Sequence, residues 1–330
     1  MKKYMFYLLI IVSFLILISA CSSNTGSQTN ENTYPEKDIQ IYVPVDPGGQ
    51  TDSSIRLIAK MLEDELETSI TIVNQTGGGG STALNTVANA DPDGHTLFYD
   101  HQGTLMRMAL GQSGLDPLED FTPITTMTST NQTMIANSDS GWDDIGDFFE
   151  DAKENPGKYS YGTNFGGGSF FMGAMMEQRT DVDLEFLEYT AESDRMPALM
   201  SGQIDIGASG IENAQGYQES GDLKILGVLT EERDENLPDV PTAKELGYDI
   251  VFPFTHVLYG PADLNEEIIK KWNNIVNELV EDEDYQKSIG DIYQNHDFKD
   301  YEETKRFVEE EINTINDLID NLPEDIQKGL

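Results

Sequence analysis

The sequence predicts an α/β fold in two lobes, and three observations carry that expectation. Short β-rich runs alternate with helical patterns, as in layered proteins whose sheets are mainly parallel and flanked by helices. About 295 residues follow a polar N-terminal stretch, too many for one small core. A glycine-rich loop also stands between a strand and a helix three times, at residues 44–52, 74–81 and 162–169.

The first twenty residues set the compartment. Lys2 and Lys3 precede an apolar run over residues 5–18, broken by Ser13, which ends in Ile18-Ser19-Ala20-Cys21. A basic start, a short apolar core and a small-residue cleavage site describe a secretory signal at 1–20. A spanning helix needs about 20 apolar residues, more than this run supplies. Cys21 after the small pair is the bacterial lipoprotein pattern, in which the sulfur takes a diacylglycerol. It is the only cysteine, so neither an internal disulfide nor a thiolate metal site is expected. Residues 21–34 are too polar to fold and read as a flexible tether. The expectation is an exported protein, lipid-anchored through Cys21 on the outer face of the cell membrane or in the periplasm.

The chain carries 20 basic against 60 acidic residues, a net charge of −40. Such a field repels nucleic acid and anionic head groups, which excludes a nucleic-acid role. It also means that any bound anion must be held by local dipoles.

Ile39–Val43 reads as the first strand, ending in Pro44-Val45-Asp46-Pro47-Gly48-Gly49-Gln50-Thr51-Asp52. Ile55, Ile58, Ala59, Leu62 and Leu66 then recur at three- and four-residue steps, one apolar face of a helix. Residues 70–73 form the next strand, followed by Asn74-Gln75-Thr76-Gly77-Gly78-Gly79-Gly80-Ser81 and a helix through Leu84, Val87 and Ala88. Residues 96–99 are a third strand. A helix over 142–153 turns Ile145, Phe148, Phe149 and Ala152 inward. After a strand at 159–161, Gly162-Thr163-Asn164-Phe165-Gly166-Gly167-Gly168-Ser169 leads into a helix whose Met172, Met175 and Met176 fill core gaps. Further strands are expected at 184–187, 204–208 and 223–229, and helices at 268–280 and 304–322.

In an open parallel sheet, ligands sit beyond the carboxyl ends of strands, where helices begin. The first helical turn leaves N–H groups unpaired and carries partial positive charge. Glycines clear the approach for an anion. Read alone, Gly48-Gly49 is a plain turn with Thr51 or Asp52 capping the helix; three such loops together point to anion binding without Lys or Arg.

Other chemistries fit less well. No glycine loop ends in the Lys-Ser/Thr of a nucleotide phosphate loop, and residues 77–80 lack dinucleotide spacing. Gly207-Ala208-Ser209-Gly210 falls one residue short of a nucleophile elbow. His95, His101, His256 and His296 show no zinc spacing, and only His101, just past a strand end, is a pocket candidate. No catalytic residue, metal or cofactor is expected.

In this order the loops resemble the substrate-binding proteins of tripartite tricarboxylate transporters, the Bug or TctC-like family. The strongest stretch is Val43-Pro44 through Pro47-Gly48-Gly49-Gln50-Thr51-Asp52, with Arg56 following. Asn74 with Gly77 to Gly80, Pro92-Asp93-Gly94-His95-Thr96, Asp120-Phe121-Thr122-Pro123, Asn155-Pro156-Gly157-Lys158 and Tyr161-Gly162-Thr163 are collinear with it. So are Tyr189, Gly202-Gln203-Ile204-Asp205 and Leu237-Pro238-Asp239-Val240-Pro241-Thr242.

The resemblance implies a Venus-flytrap, periplasmic-binding-protein-like fold, crossed near 125–131 and 251–257. Lobe 1 would comprise 35–128 with 254–330, and lobe 2 residues 129–253. It implies a monomeric, non-enzymatic solute-binding lipoprotein that captures a di- or tricarboxylate, or a similar carboxylate, between the lobes and delivers it to the membrane permease subunits of a tripartite tricarboxylate-type transporter. Presentation to a sensor kinase, or an extracellular enzyme on the same scaffold, are the alternatives. Gly48, Gly49 and Thr51 would hold a carboxylate, and Asp52 would cap and shape the pocket. Asn74 and Gly77 would line lobe 1, and Thr163, Asn164, Gly167 and Ser169 lobe 2, with Tyr189 and His101 nearby. The sequence departs from the family pattern at Asp46, usually apolar or aromatic, at Glu188, often proline, and at Phe171, often histidine.

Overall fold

The computed structural model describes residues 34–189, 191–322 and 324–327. The expected signal, Cys21 and the tether up to residue 33 lie outside the described residues. No described helix is long and apolar enough to cross a membrane.

Along the chain run β1 (Ile39–Val43), α1 (Gln50–Leu66), β2 (Ile70–Asn74), a 3₁₀ turn at Gly77–Gly80, α2 (Ser81–Ala88), β3 (Thr96–Asp100), α3 (Gly103–Ala109) and β4 (Phe121–Thr130). Then come β5 (Gln132–Asn137), α4 (Ile145–Glu154), β6 (Tyr159–Thr163), α5 (Gly168–Thr180), β7 (Leu184–Glu188), α6 (Glu192–Met200), β8 (Ile206–Gly210), α7 (Ile211–Ser220) and β9 (Leu223–Val228). The chain finishes with β10 (Phe254–Pro261), α8 (Glu266–Val280), α9 (Glu283–Gly290), β11 (Asn295–His296), α10 (Tyr301–Asp320) and a last turn at Glu324–Gln327.

Two sheets result, in the orders β11-β4-β10-β3-β1-β2 and β7-β6-β8-β5-β9. Each βα unit packs its strands in parallel, as β1 does with β2 and β3, and β6 with β7 and β8. The strands that carry the chain between sheets run the other way. Thus β10 is antiparallel to β3 and β4, and β5 is antiparallel to β8 and β9, so both sheets are mixed. The first sheet draws only on residues before 131 and after 253, and the second only on those between.

Several boundaries differ from the sequence reading for local reasons. Helix α4 starts at Ile145 because the Asp144 carboxylate accepts the N–H groups of Gly146 and Asp147, ending the extended chain there. The crossing expected over 125–131 contracts to Asn131, since β4 continues to Thr130 and β5 begins at Gln132. That strand, FTPITTMTST, has no apolar alternation because both its faces are buried. Two of its threonines are satisfied by a distant backbone segment: Thr125 donates to Lys299 O at 2.9 Å and Thr126 to Asp297 O at 2.6 Å.

Helix α1 shows how the elements dock. Ile55, Ile58, Ala59, Leu62 and Leu66 are all buried on the sheet, and each Leu or Ile buried this way contributes about 1.5–3 kcal/mol. A continuous apolar cluster joins the two lobes and includes Phe98, Phe170, Met175, Phe252 and Ile315. Met172, Met175 and Met176 are buried within it.

Gly173 is closely packed within the second lobe. A Cβ there would lie 2.6 Å from both the Tyr161 and Phe186 rings. Tyr161 cannot yield, because it is fully buried and its hydroxyl donates to Ser169 O at 2.7 Å. Gly173→Ala gains helix propensity of up to about 1 kcal/mol, but overpacking costs about 1–3 kcal/mol. A net fall in the urea midpoint is therefore expected; a rise would show that the rings relax freely.

Candidate functional site

Residues 44–49 must turn the chain from β1 into α1. Gly48 adopts φ +90°, where a side chain would be strained, and Gly49 is an extended N-cap without a side-chain bond to the helix. Ser53 is the first satisfied donor of the helix, bonding Gly49 O at 2.9 Å. The N–H groups of Gln50, Thr51 and Asp52 have no acceptor among the described residues, and they carry the positive end of a 17-residue helix.

Asp52 leaves this end open because its carboxylate is engaged elsewhere. It accepts Gly48 N at 2.8 Å, Arg56 Nε at 2.9 and 3.0 Å, and Asn74 Nδ2 at 2.7 Å. Asn74 also donates to Val45 O at 3.0 Å and accepts Arg56 Nη2 at 2.7 Å. Burial raises the Asp52 carboxyl, but the bonds from Arg56, Gly48 and Asn74 outweigh it and hold the group below the usual carboxylate range. The three side chains lock the loop from behind.

Thr51, only 5% exposed, ends a chain of polar groups. Its Oγ1 lies 3.0 Å from His256 Nε2, and His256 Nδ1 lies 3.2 Å from Thr128 Oγ1. Thr128 Oγ1 is in turn 2.9 Å from the Tyr99 hydroxyl, while the Tyr99–Ser54 distance is 3.4 Å. Burial, reinforced by His101, pushes His256 down to about 3, so its ring is neutral and has one donor and one acceptor nitrogen. With the ring proton on Nε2, Thr128 donates to Nδ1, Nε2–H donates to Thr51, and the Thr51 proton is free to point into the cavity. Burial also lowers His101. Its Nδ1 accepts Gly103 N at 3.0 Å, which puts the ring proton on Nε2, and the ring stacks on Phe254 at 4.6 Å.

A cavity of about 450 Å³ opens over this helix end. The first lobe lines it with Gly48, Gly49, Thr51, His101, Phe254 and His256, and the second with Gln132, Glu192, Gly210, Glu212 and Asn213; Thr130 stands at the crossing. The lobes meet closely here, since a Cβ on Gly210 would lie 3.6 Å from Gln50 Nε2. A larger groove, about 870 Å³, runs beside α8 and α10, and first-lobe residues alone line it. No group of three or more His, Cys, Asp or Glu among the described residues could hold a metal ion.

Of the residues singled out in sequence, Gly48, Gly49, Thr51 and His101 meet in the cavity. Asp52 and Asn74 stand behind the loop, and Gly77 caps nothing in the cavity, its carbonyl accepting Thr82 Oγ1 at 2.8 Å. The third glycine loop closes on itself. Thr163 and Ser169 share a bond of 2.9 Å, Asn164 N donates to Ser169 Oγ, Gly167 N donates to Asn164 O, and Tyr189 N donates to Thr163 O. This loop touches the site through Gly168, where a Cβ would strike Phe254 at 2.4 Å. The second-lobe wall comes instead from the turn between β8 and α7, whose Gly210 between a β-rich run and a helix carried the same signal as the loops that were noticed. His256 and Phe254 had no such signal, because each reaches the site from a return strand.

A model of the tripartite tricarboxylate transporter family receptor, TctC, matches residues 54–323. Protein BugT of Bordetella pertussis is 26% identical over 276 residues, 81% of this chain and 83% of that protein. Among solved structures, MatC from Rhodopseudomonas palustris with bound malate is 27% identical with a TM-score of 0.69, covering 86% of this chain and 99% of MatC. A TctC solute-binding protein from Polaromonas, at 22% identity, shares the fold with a TM-score of 0.77, over 88% of this chain and 100% of the other.

His256 gives the site a pH signature. Its pKa is about 3 in the fold against 6.5 ordinarily, so below pH 6.5 only the unfolded chain takes up its proton. The stability linked to this ring is full above pH 6.5 and is lost as pH falls towards 3, at up to about 1.4 kcal/mol per pH unit. The melting temperature of the wild type should therefore fall more steeply between neutral and mildly acidic pH than that of His256→Gln. Parallel curves would show that the ring is not buried neutral.

Proposed function

Because the chain belongs to the tripartite tricarboxylate transporter receptor family, we propose that it captures a small organic carboxylate in the cavity over α1 and delivers it to the permease subunits of a tripartite transporter. The observation that carries this reading is the set of free N–H groups at Gln50, Thr51 and Asp52, with the Thr51 hydroxyl beside them and walls from both lobes. A carboxylate there replaces water on donors that the protein itself leaves unpaired. Malate bound to MatC is in keeping with a carboxylate ligand.

The same reading makes the two sheets hinged lobes, 35–128 with 254–330 against 129–253, joined at Asn131 and over residues 229–253. A ligand that touches both walls favours the closed state by its extra contacts. Export and anchoring follow from the N-terminal pattern: signal cleavage before Cys21, a lipid on its sulfur, and a monomeric domain tethered outside the cell membrane, without catalysis or cofactor.

The test is a thermal-shift and calorimetric screen of citrate, tartrate, malate, succinate, glutamate and aromatic acids, with each compound recovered unchanged. Thr51→Val should weaken the best ligand about 10- to 100-fold, the loss of one hydrogen bond to a charged group. Unaltered affinity in Thr51→Val would remove the carboxylate from the α1 turn.

A further inference from the structure

The wall facing the α1 turn is acidic. Glu192 stands in the first turn of α6 and Glu212 in the first turn of α7, and both line the cavity. Ser209 Oγ donates to Glu192 Oε1 at 2.5 Å and Asn213 Nδ2 donates to the same oxygen at 3.3 Å, which fixes the carboxylate in place. Among the described residues no lysine or arginine forms an ion pair with either glutamate. Between them and the first lobe lies Thr130, 1% exposed, whose Oγ1 has no hydrogen-bond partner although the residue lines the cavity. A buried hydroxyl in that state calls for a ligand or water.

Charge decides what such a wall accepts. A helix N-terminus supplies about half an elementary charge, so two full carboxylates outweigh the N-termini they sit on. The side chains lining the cavity include no cation, since His101 and His256 are held neutral by burial. The second carboxylate of a dicarboxylate would meet Glu192 and Glu212 with no cation among the lining side chains to offset the repulsion. A positive group there would be paired.

Resting on the carboxylate reading above, we propose that the preferred ligand is a carboxylate that also carries an ammonium group. Its carboxylate lies on Gly48, Gly49 and Thr51, and its ammonium lies among Glu192, Glu212 and the Thr130 hydroxyl. The class is that of α- and ω-amino acids. An ammonium brings three donors, matching two carboxylates and one hydroxyl oxygen, and a cavity of about 450 Å³ leaves room for waters around it.

The test is calorimetry at neutral pH, with a chelator present throughout so that no metal bridges a dicarboxylate to the glutamates. The panel pairs amino acids with acids of the same skeleton: glutamate with glutarate, 4-aminobutyrate with succinate, 5-aminopentanoate with glutarate. The tightest ligand should be an amino acid that binds at least about tenfold better than its partner. Glu192→Gln combined with Glu212→Gln should abolish that advantage while the variant melts as a folded protein. The proposal is overturned if no amino acid binds, or if a dicarboxylate without an ammonium group binds tightest. In the second case, loss of that binding in Thr51→Val would leave the carboxylate reading standing. Ligands that bind equally well after their carboxylate is replaced by an amide would sink that reading instead.

Discussion

On the proposed carboxylate reading the structure depends on one constraint: an anion must be held by a chain of net charge −40 without a lysine or arginine lining its cavity. On that reading three peptide N–H groups at the start of α1 meet it, and they are available because nothing among the described residues takes them. Gly49 offers no side chain to cap the helix. Asp52, the one carboxylate in the first turn, is turned back onto Gly48 N, Arg56 and Asn74. Had Asp52 capped its own helix, the cavity would be closed to anions by a like charge. The Arg56–Asp52–Asn74 cluster is thus as necessary to the site as the glycines, although it stands behind them.

A second layer of support comes from burial. His256 sits between Thr51 and Thr128 with Tyr99 behind, all within the first lobe. Burial keeps the ring neutral, so it passes on a hydrogen-bond direction and adds no charge. The partial charges of the helix end therefore act in a setting where hydrogen bonds are stronger than in water. The second lobe contributes differently, with acidic side chains, so the two walls of one cavity have opposite electrostatic character, and the unpartnered Thr130 hydroxyl stands at the crossing.

The sequence held the αβ repeats plainly, because βα units write a strand, a glycine turn and an amphipathic helix in succession. What it hid were elements whose residues answer to two neighbours at once. Strand β4 is a threonine run buried on both faces, and the Thr125 and Thr126 hydroxyls are satisfied by the distant segment 297–299. The first-lobe lining of the candidate cavity was legible, since Gly48, Gly49 and Thr51 lie together in one loop. The second-lobe half was displaced by one βα unit. The conspicuous glycines at 166–168 serve packing, Gly168 leaving room for Phe254, while the less conspicuous Gly210 opens α7 at the cavity. His256 lies 205 positions from Thr51 and no local pattern could pair them.

The most direct measurement of the central claim is a titration of the ¹⁵N-labelled protein with its best ligand, followed at the backbone amides. If the α1 turn grips the anion, the Gln50, Thr51 and Asp52 amide protons move downfield as the site fills, further than those at Gly77 to Gly80 or Asn164 to Gly167. Saturation of the protein with those three amides unmoved, or with the largest shifts at the other glycine loops, would contradict the account.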